Sequence, residues 1–155
     1  LQNDWKKLYD EVRSFKETAG KTKIKAILGV GDLETLRNVA KASLVCMMAG
    51  ADFIKTSTGK ESTNANLNNS LVMLRMIRDF YSKTGKKIGF KPAGGISTSK
   101  SVLEFLILVA EELGFEWINP KLLRIGASSL LIDIERQLYH YTSGRYANKE
   151  KLAIG

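Results

Sequence analysis

The sequence predicts an α/β fold in which parallel strands alternate with amphipathic helices. Two observations predict it: short apolar runs rich in branched residues recur along the chain, and between them hydrophobic residues repeat at helical spacing. Each strand-helix unit spans roughly 25 to 35 residues, and strands joined by helical crossovers must run parallel. With 155 residues, 44% of them hydrophobic, the chain fits a single soluble domain over 1–155.

A leading helix and four strand-helix units make up this prediction. The apolar face of the leading helix ends at Gly20, which suits a C-terminal cap. The second helix is expected to begin at Asp32, and the fourth carries Ser101 and Glu104 at capping-box spacing. The strands are expected at 24–28, 52–55, 87–91 and 122–125, and the helices that follow them at 32–50, 64–83, 96–113 and 131–141. Residues 147–155 lose the periodicity and are expected to form a mobile tail.

Charge and composition exclude several classes of protein. There are 24 Lys and Arg against 16 Asp and Glu, a net charge of +8, but the lysines are scattered, so we expect a solvated surface and no nucleic-acid partner. A single cysteine, Cys46, and a single histidine, His140, argue against disulfides, a metal site and Ser-His catalysis. No apolar run approaches the roughly 20 residues of a membrane span. The first residues lack a signal-peptide core, so a cytoplasmic protein without a membrane partner is expected.

Three loops that follow the predicted strands share one chemistry. They are small, contain glycine and are rich in hydrogen-bond donors, and they lie at 56–60, 92–95 and 126–129. Glycines let backbone N–H groups approach an anion, and each loop leads into a helix N-terminus that favours negative charge. The loops therefore predict a phosphate-binding site, although tight strand-to-helix turns also require small residues.

Lys55 and Lys91 each end an otherwise apolar strand and directly precede one of these loops. If the two strands are neighbours, their backbones lie about 4.8 Å apart and both amines face the same end of the sheet. Two close ammonium groups repel, so one loses its proton more easily, and a neutral amine is the nucleophile of Schiff-base chemistry. The alternative is a pair of lysines that protect strand ends and reach into solvent.

These segments resemble the deoxyribose-phosphate aldolase family. The resemblance lies in DFIKTSTGK at 52–60, GFKPAGGI at 89–96 and RIGASSL at 124–130, and IERQ at 134–137 with GRY at 144–146 is similar to animal-type members. It implies a (β/α)₈ TIM barrel, of which this chain holds the C-terminal part, about four βα units behind a leading helix. A complete barrel needs about 250 residues.

The resemblance also implies an activity and its residues. The family reversibly cleaves 2-deoxy-D-ribose 5-phosphate to acetaldehyde and D-glyceraldehyde 3-phosphate, in deoxynucleoside catabolism, with neither a metal nor an organic cofactor. By motif, Lys55 would form the Schiff base, and Lys91 would lower its pKa and help to move protons. The residues that would hold the substrate phosphate are Gly59, Lys60, Gly94, Gly95, Gly126, Ser128 and Ser129.

The sequence departs from the family pattern in several places. Gly29 stands where many members have glutamate, and Ser97 stands where many have an arginine beside the phosphate loop. No segment corresponds to the earlier strand that carries a proton-transferring aspartate, and the chain ends in Ile154-Gly155 where some bacterial members end in tyrosine.

Two other functions stay open at this point: a different phosphate-binding Schiff-base barrel such as a transaldolase, and a non-catalytic half-barrel binding module. Four strands of a barrel leave two unpaired edges and an apolar inner face, so we expect the missing barrel half or a second copy as a partner.

Overall fold

The structure is a computed structural model that describes residues 4–148 and 152, and in these residues helices alternate with short parallel strands. The elements are α1 (Trp5–Ala19), β1 (Lys25–Ile27), α2 (Leu36–Met48), β2 (Phe53–Lys55), α3 (Leu67–Thr84), β3 (Gly89–Lys91), α4 (Ser99–Leu113), a 3₁₀ helix (Phe115–Trp117) and α5 (Leu130–Ser143). The predicted alternation is confirmed. Among the described helices, none is both long and apolar enough to cross a membrane.

The sheet follows the order β1-β2-β3, and both strand pairs are parallel. In its register Ile54 lies between Ala26 and Phe90. Each crossover contains a helix, so successive strands end at the same edge of the sheet. That edge carries the loops in which sequence analysis places the site.

The fourth predicted strand, at 122–125, does not form a regular strand. This part of the chain makes only two isolated parallel bridges, from Leu123 to Phe90 and from Gly126 to Ala93. The N–H groups of residues 122 and 123 bond to the carbonyl of Asn119, although the N–H of Phe90 still donates to the carbonyl of Leu122 and the N–H of Arg124 donates to that of Phe90. Pro92, which has no N–H to donate, also interrupts the ladder on the side of β3.

Two predicted helix starts also differ from the structure. The N-cap of α2 is Thr35, whose side chain accepts from the N–H of Asn38, while Asp32 lies in the preceding turn. The capping box of α4 joins Thr98 and Ser101, so Ser101 is its second member and not its first. Both helices begin about three residues from the expected position because several residues in each loop can serve as caps. The cap at Gly20 is confirmed, with φ of 55°.

The core lies between the sheet and the helices that cover it. Ile54 and Phe90 are fully buried there, and α3 contributes Met73, Leu74 and Ile77. The indole of Trp117 closes this core, and its Nε1 donates to the carbonyl of Ile88 at 2.9 Å. Of the tail for which mobility was expected, 149–151 and 153–155 lie outside the described residues, and the described residues Ala147 and Leu152 are buried.

A partly buried ion pair ties α1 to the sheet. Lys16 Nζ lies 2.7 Å from Asp52 Oδ2, and the same oxygen accepts from the N–H of Ile24 at 3.1 Å. Burial raises the pKa of Asp52, but these two hydrogen bonds together with the positive charges of Lys16 and Lys86 outweigh it and hold the pKa below its ordinary value. The carboxylate therefore stabilises the fold above the unfolded-state pKa, and this contribution is lost as the pH falls through the folded-state pKa.

Asp52→Asn is accordingly expected to lower the free energy of unfolding by about 1 kcal/mol at neutral pH, because the charged hydrogen bonds are lost. Urea unfolding at neutral pH and below the folded-state pKa of Asp52 measures this, and the difference from wild type should vanish in acid. Asp10→Asn, which removes a carboxylate from the exposed Lys6–Asp10 pair on α1, is the control and should have a smaller effect. Equal effects of the two substitutions would contradict the expectation.

Candidate active site

Lys55 and Lys91 end adjacent strands and lie directly opposite each other in the register of β2 and β3. Adjacent strands are about 4.8 Å apart, so the two side chains leave the backbone as near neighbours. Both are half-buried. The structure thus brings the two lysines together, while their catalytic roles stay a prediction.

The electrostatic surroundings of Lys91 favour its neutral form. Burial lowers the pKa of Lys91 first, and the positive charges of Lys55, Lys25 and Arg124 lower it further. Sequence analysis missed the contributions of Lys25 and Arg124. For Lys25 a signal was available, because it is a lysine within an otherwise apolar strand segment, although it begins β1 whereas Lys55 and Lys91 end their strands. In β1 its Nζ lies 5.3 Å from the centroid of the Phe53 ring.

The three glycine-bearing loops surround one cavity of about 460 Å³, and Lys55 and Lys91 are not among the residues that line it. All seven residues predicted to hold phosphate line it: Gly59, Lys60, Gly94, Gly95, Gly126, Ser128 and Ser129. Ser97, the position where many family members carry arginine, lines it as well. The structure therefore brings the predicted residues together, and phosphate binding by them stays a prediction.

The first two loops are joined by buried side chains. Thr56 Oγ1 donates to the carbonyl of Ala93 at 3.1 Å and accepts from its N–H at 2.9 Å. Ser57 Oγ lies 2.7 Å from the same carbonyl and 2.9 Å from Asn64 Oδ1. These two hydroxyls, which the sequence counted among the possible phosphate donors, instead fix one loop to the other. The bridging role of Asn64 was not predicted.

Glu61 is a further residue that sequence analysis missed. Its carboxylate accepts from the backbone N–H groups of Thr58, Gly59 and Lys60 at 2.9 to 3.1 Å. These bonds, with that of Thr58 the strongest contributor, lower the pKa of Glu61 to about 2. A carboxylate thus occupies backbone donors of a loop that was predicted to bind phosphate.

Gly126 allows the third loop to approach Lys91. A Cβ at this position would lie 2.5 Å from the Cβ of Ala93 and 3.2 Å from Cε of Lys91. Any side chain here would push against both Ala93 in the loop at 92–95 and the side chain of Lys91. The close approach explains why this position needs glycine.

Gly126→Ala is therefore expected to lower the free energy of unfolding by about 1 to 3 kcal/mol through overpacking, measurable by urea unfolding. Gly95→Ala is the matched control, since Gly95 lines the same cavity and its added Cβ would meet nothing within 4 Å. That control should cost about 1 to 2 kcal/mol, from its positive φ alone and not from overpacking. If Gly126→Ala were as stable as wild type, the third loop could move away from Ala93 and Lys91 at no cost, which would contradict the expectation.

The fold is that of a parallel α/β protein in which two lysines end adjacent strands beside three glycine-bearing loops. Residues 1–131 match the model of the DeoC/LacD family aldolases. The chain belongs to this family, which confirms the resemblance seen in the sequence. It is 60% identical over 147 residues to the human protein named deoxyribose-phosphate aldolase and 62% identical to the mouse protein of that name. In each case the match covers 95% of this chain and 46% of the relative, so the chain spans about half the length of these relatives.

Solved structures show the same fold. The apo-form crystal structure of a Toxoplasma gondii ME49 protein, provisionally named a deoxyribose-phosphate aldolase, superposes with a TM-score of 0.77 at 22% identity. The alignment covers 91% of this chain and 54% of that one. The predicted TIM-barrel class is confirmed, with this chain forming part of such a barrel.

Proposed function

We propose that the protein acts as a class I aldolase that reversibly cleaves 2-deoxy-D-ribose 5-phosphate to acetaldehyde and D-glyceraldehyde 3-phosphate, in deoxyribose catabolism. The observation that carries the proposal is the pairing of Lys55 with Lys91 at the ends of adjacent strands, next to a cavity rich in glycine and hydroxyl groups. The names of the human and mouse relatives support the choice of substrate.

The chemistry begins at an uncharged lysine amine. In the proposed reaction Lys55 Nζ attacks the aldehyde carbon C1 of the open-chain sugar, and loss of water gives a protonated imine. The imine accepts the electron pair of the C2–C3 bond as that bond breaks, while the C3 hydroxyl loses its proton and becomes the aldehyde of glyceraldehyde 3-phosphate. The remaining enamine gains a proton at C2, and water then releases acetaldehyde and frees the lysine.

Lys91 is suited to proton transfer in this scheme. Its lowered pKa leaves the amine closer to a balance between the charged and neutral forms than an ordinary lysine, so it can both accept and return a proton. Its position opposite Lys55 brings it to the same reacting atoms. The cavity lined by Gly94, Gly95 and Ser128 would hold the phosphate and so fix the position of C1.

Product analysis tests the proposal. The intact protein, incubated with deoxyribose 5-phosphate, should release acetaldehyde and glyceraldehyde 3-phosphate in equal amounts, and acetaldehyde with borohydride should add the mass of one ethyl group. Turnover of a transaldolase donor in place of deoxyribose 5-phosphate would assign the site to another Schiff-base reaction. Absence of both turnover and trapping would leave a binding module as the function.

A partner along β1 is part of the proposal. Within the described residues β1 pairs only with β2, and the side chain of Ile27 on β1 is 49% exposed. Unpaired apolar strand edges are covered in stable proteins, and a barrel covers them with its own further strands. We expect such strands, or a second copy of the chain, on this edge, and sedimentation of the intact protein distinguishes the two.

A cytoplasmic location also belongs to the proposal. It is supported by the single cysteine, Cys46, which is a buried free thiol whose pKa burial raises to about 12. Fractionation of cells that express the intact protein is the direct test.

A further inference from the structure

We propose that Glu61 is an internal competitor for the phosphate-binding loop and so sets the affinity of the site for phosphorylated ligands. Its carboxylate occupies backbone donors that a phosphate group would need, and a bound phosphate replaces it. The inference rests on the proposed function for the identity of the phosphorylated substrate, whereas the binding of phosphate itself can be measured separately.

The geometry gives the carboxylate a site built by the backbone. Glu61 Oε2 accepts from the N–H groups of Thr58, Gly59 and Lys60 at 3.0, 3.0 and 3.1 Å, and Oε1 also accepts from Thr58 at 2.9 Å. Three successive N–H groups that converge on one point form an anion-binding concavity. Such a concavity holds one anion at a time.

The same three residues form part of the wall of the predicted phosphate cavity. Thr58, Gly59 and Lys60 line it, and an added Cβ on Gly59 would lie only 3.6 Å from Cα of Gly94 in the second loop. Glu61 is not among the residues that line the cavity. Donation from the Gly59 and Lys60 backbone to a phosphate therefore requires the carboxylate to release these N–H groups.

The Glu61 carboxylate can release the three N–H groups without refolding of the loop. The carbonyl of Glu61 accepts from Asn64 Nδ2 at 2.7 Å, and Asn64 is in turn bound by Ser57 Oγ. These bonds hold the backbone at Glu61, so rotation of its own side chain is sufficient to free the donors. The side chain is only partly buried, which leaves solvent available to the released carboxylate.

The negative charge of Glu61 determines the direction in which its removal changes phosphate affinity. The pKa of about 2 keeps Glu61 ionised near neutral pH, where it also repels an incoming phosphate. One unit charge about 4 Å away in water changes affinity by about fivefold. Removing the charge therefore strengthens phosphate binding, because the repulsion is removed and the competition for the N–H groups is weakened.

The test is the dissociation constant of inorganic phosphate for the intact protein, measured by calorimetry at constant ionic strength. Glu61→Gln keeps the length of the side chain and one acceptor oxygen, and we expect its dissociation constant to fall about fivefold. Glu104→Gln removes the same charge from the exposed side of α4 and should leave binding unchanged. Thermal melting checks that both variants are folded.

Two further measurements keep the test decisive. In the wild-type protein, added phosphate should shift the amide resonances of Gly59 and Lys60. This measurement needs no variant. With deoxyribose 5-phosphate as substrate, Glu61→Gln should lower KM about fivefold without a change in kcat, and unphosphorylated deoxyribose should react as with wild type.

The outcomes separate this inference from the aldolase proposal. Weaker or unchanged phosphate binding by Glu61→Gln would overturn the inference even if the protein is an active aldolase. So would amide resonances of Gly59 and Lys60 that do not shift when phosphate is added. Tighter phosphate binding in a protein that neither traps acetaldehyde nor cleaves the sugar would support the inference and refute the aldolase.

Discussion

Replacing Lys55 by leucine should abolish the borohydride-dependent trapping of acetaldehyde and lower turnover of deoxyribose 5-phosphate by at least about ten-thousandfold. The reason is that the substitution removes the amine that forms the imine, and no other step in the proposed mechanism can start without it. Intact-mass spectrometry after borohydride treatment measures the trapping, and a coupled assay for glyceraldehyde 3-phosphate measures turnover.

Lys60→Leu is the matched control for that experiment. Lys60 lines the predicted phosphate cavity and lies in the phosphate loop, so its loss should raise KM and leave trapping intact. Peptide mapping of trapped wild-type protein should place the ethyl group on Lys55. An ethyl group on Lys91 would reverse the roles of the two lysines, and that reversal has a physical basis because Lys91 is the lysine whose pKa the structure lowers.

Replacing Lys91 by leucine is expected to have the second largest effect, a loss of turnover of about a hundred- to ten-thousandfold, typical of a lost proton donor and acceptor. Trapping at Lys55 should persist, because imine formation itself does not need the Lys91 side chain. The pH–rate profile should also lose the ionisation contributed by Lys91, the lysine whose pKa is lowered by burial and by neighbouring positive charges.

Lys91→Arg separates the two roles of this side chain. Arginine keeps the positive charge beside Lys55 but does not give up a proton near neutral pH. We expect its maximal rate to fall as in Lys91→Leu, because the positive charge is kept and the proton transfer is lost. A Lys91→Arg protein with wild-type turnover would mean that Lys91 acts by charge alone.

The parts of this fold that follow from local pattern could be predicted from the sequence. The meeting of Lys55 with Lys91 required only that consecutive strand-helix units put consecutive strands side by side. The strand expected at 122–125 failed because apolar pattern does not report the turn at Asn119, which takes the N–H groups of residues 122 and 123. Pattern therefore identified the segment but not its hydrogen bonding.

In the site, too, some residues could be predicted from the sequence and others could not. Its glycines and hydroxyl residues were visible as motifs, and the structure collects those predicted to bind phosphate around one cavity. Glu61 was not visible, because a glutamate in a polar loop looks like a solvated surface residue until the turn directs three N–H groups at it. Thr56 and Ser57 look like ligand donors in the sequence, and only the three-dimensional pairing with Ala93 shows that they are already bonded.

The buried bonds between Thr56 and Ala93 have an evolutionary consequence. They fix the first residue after Lys55 to the second residue after Lys91, so the spacing of the two amines is set before either loop reaches the phosphate cavity. Residues farther along the loops, including Gly59, Lys60 and Glu61, can then change without moving the lysines. Under the proposed function, changes in these residues would alter which phosphate ester is accepted and would leave the backbone positions of the two lysines unchanged.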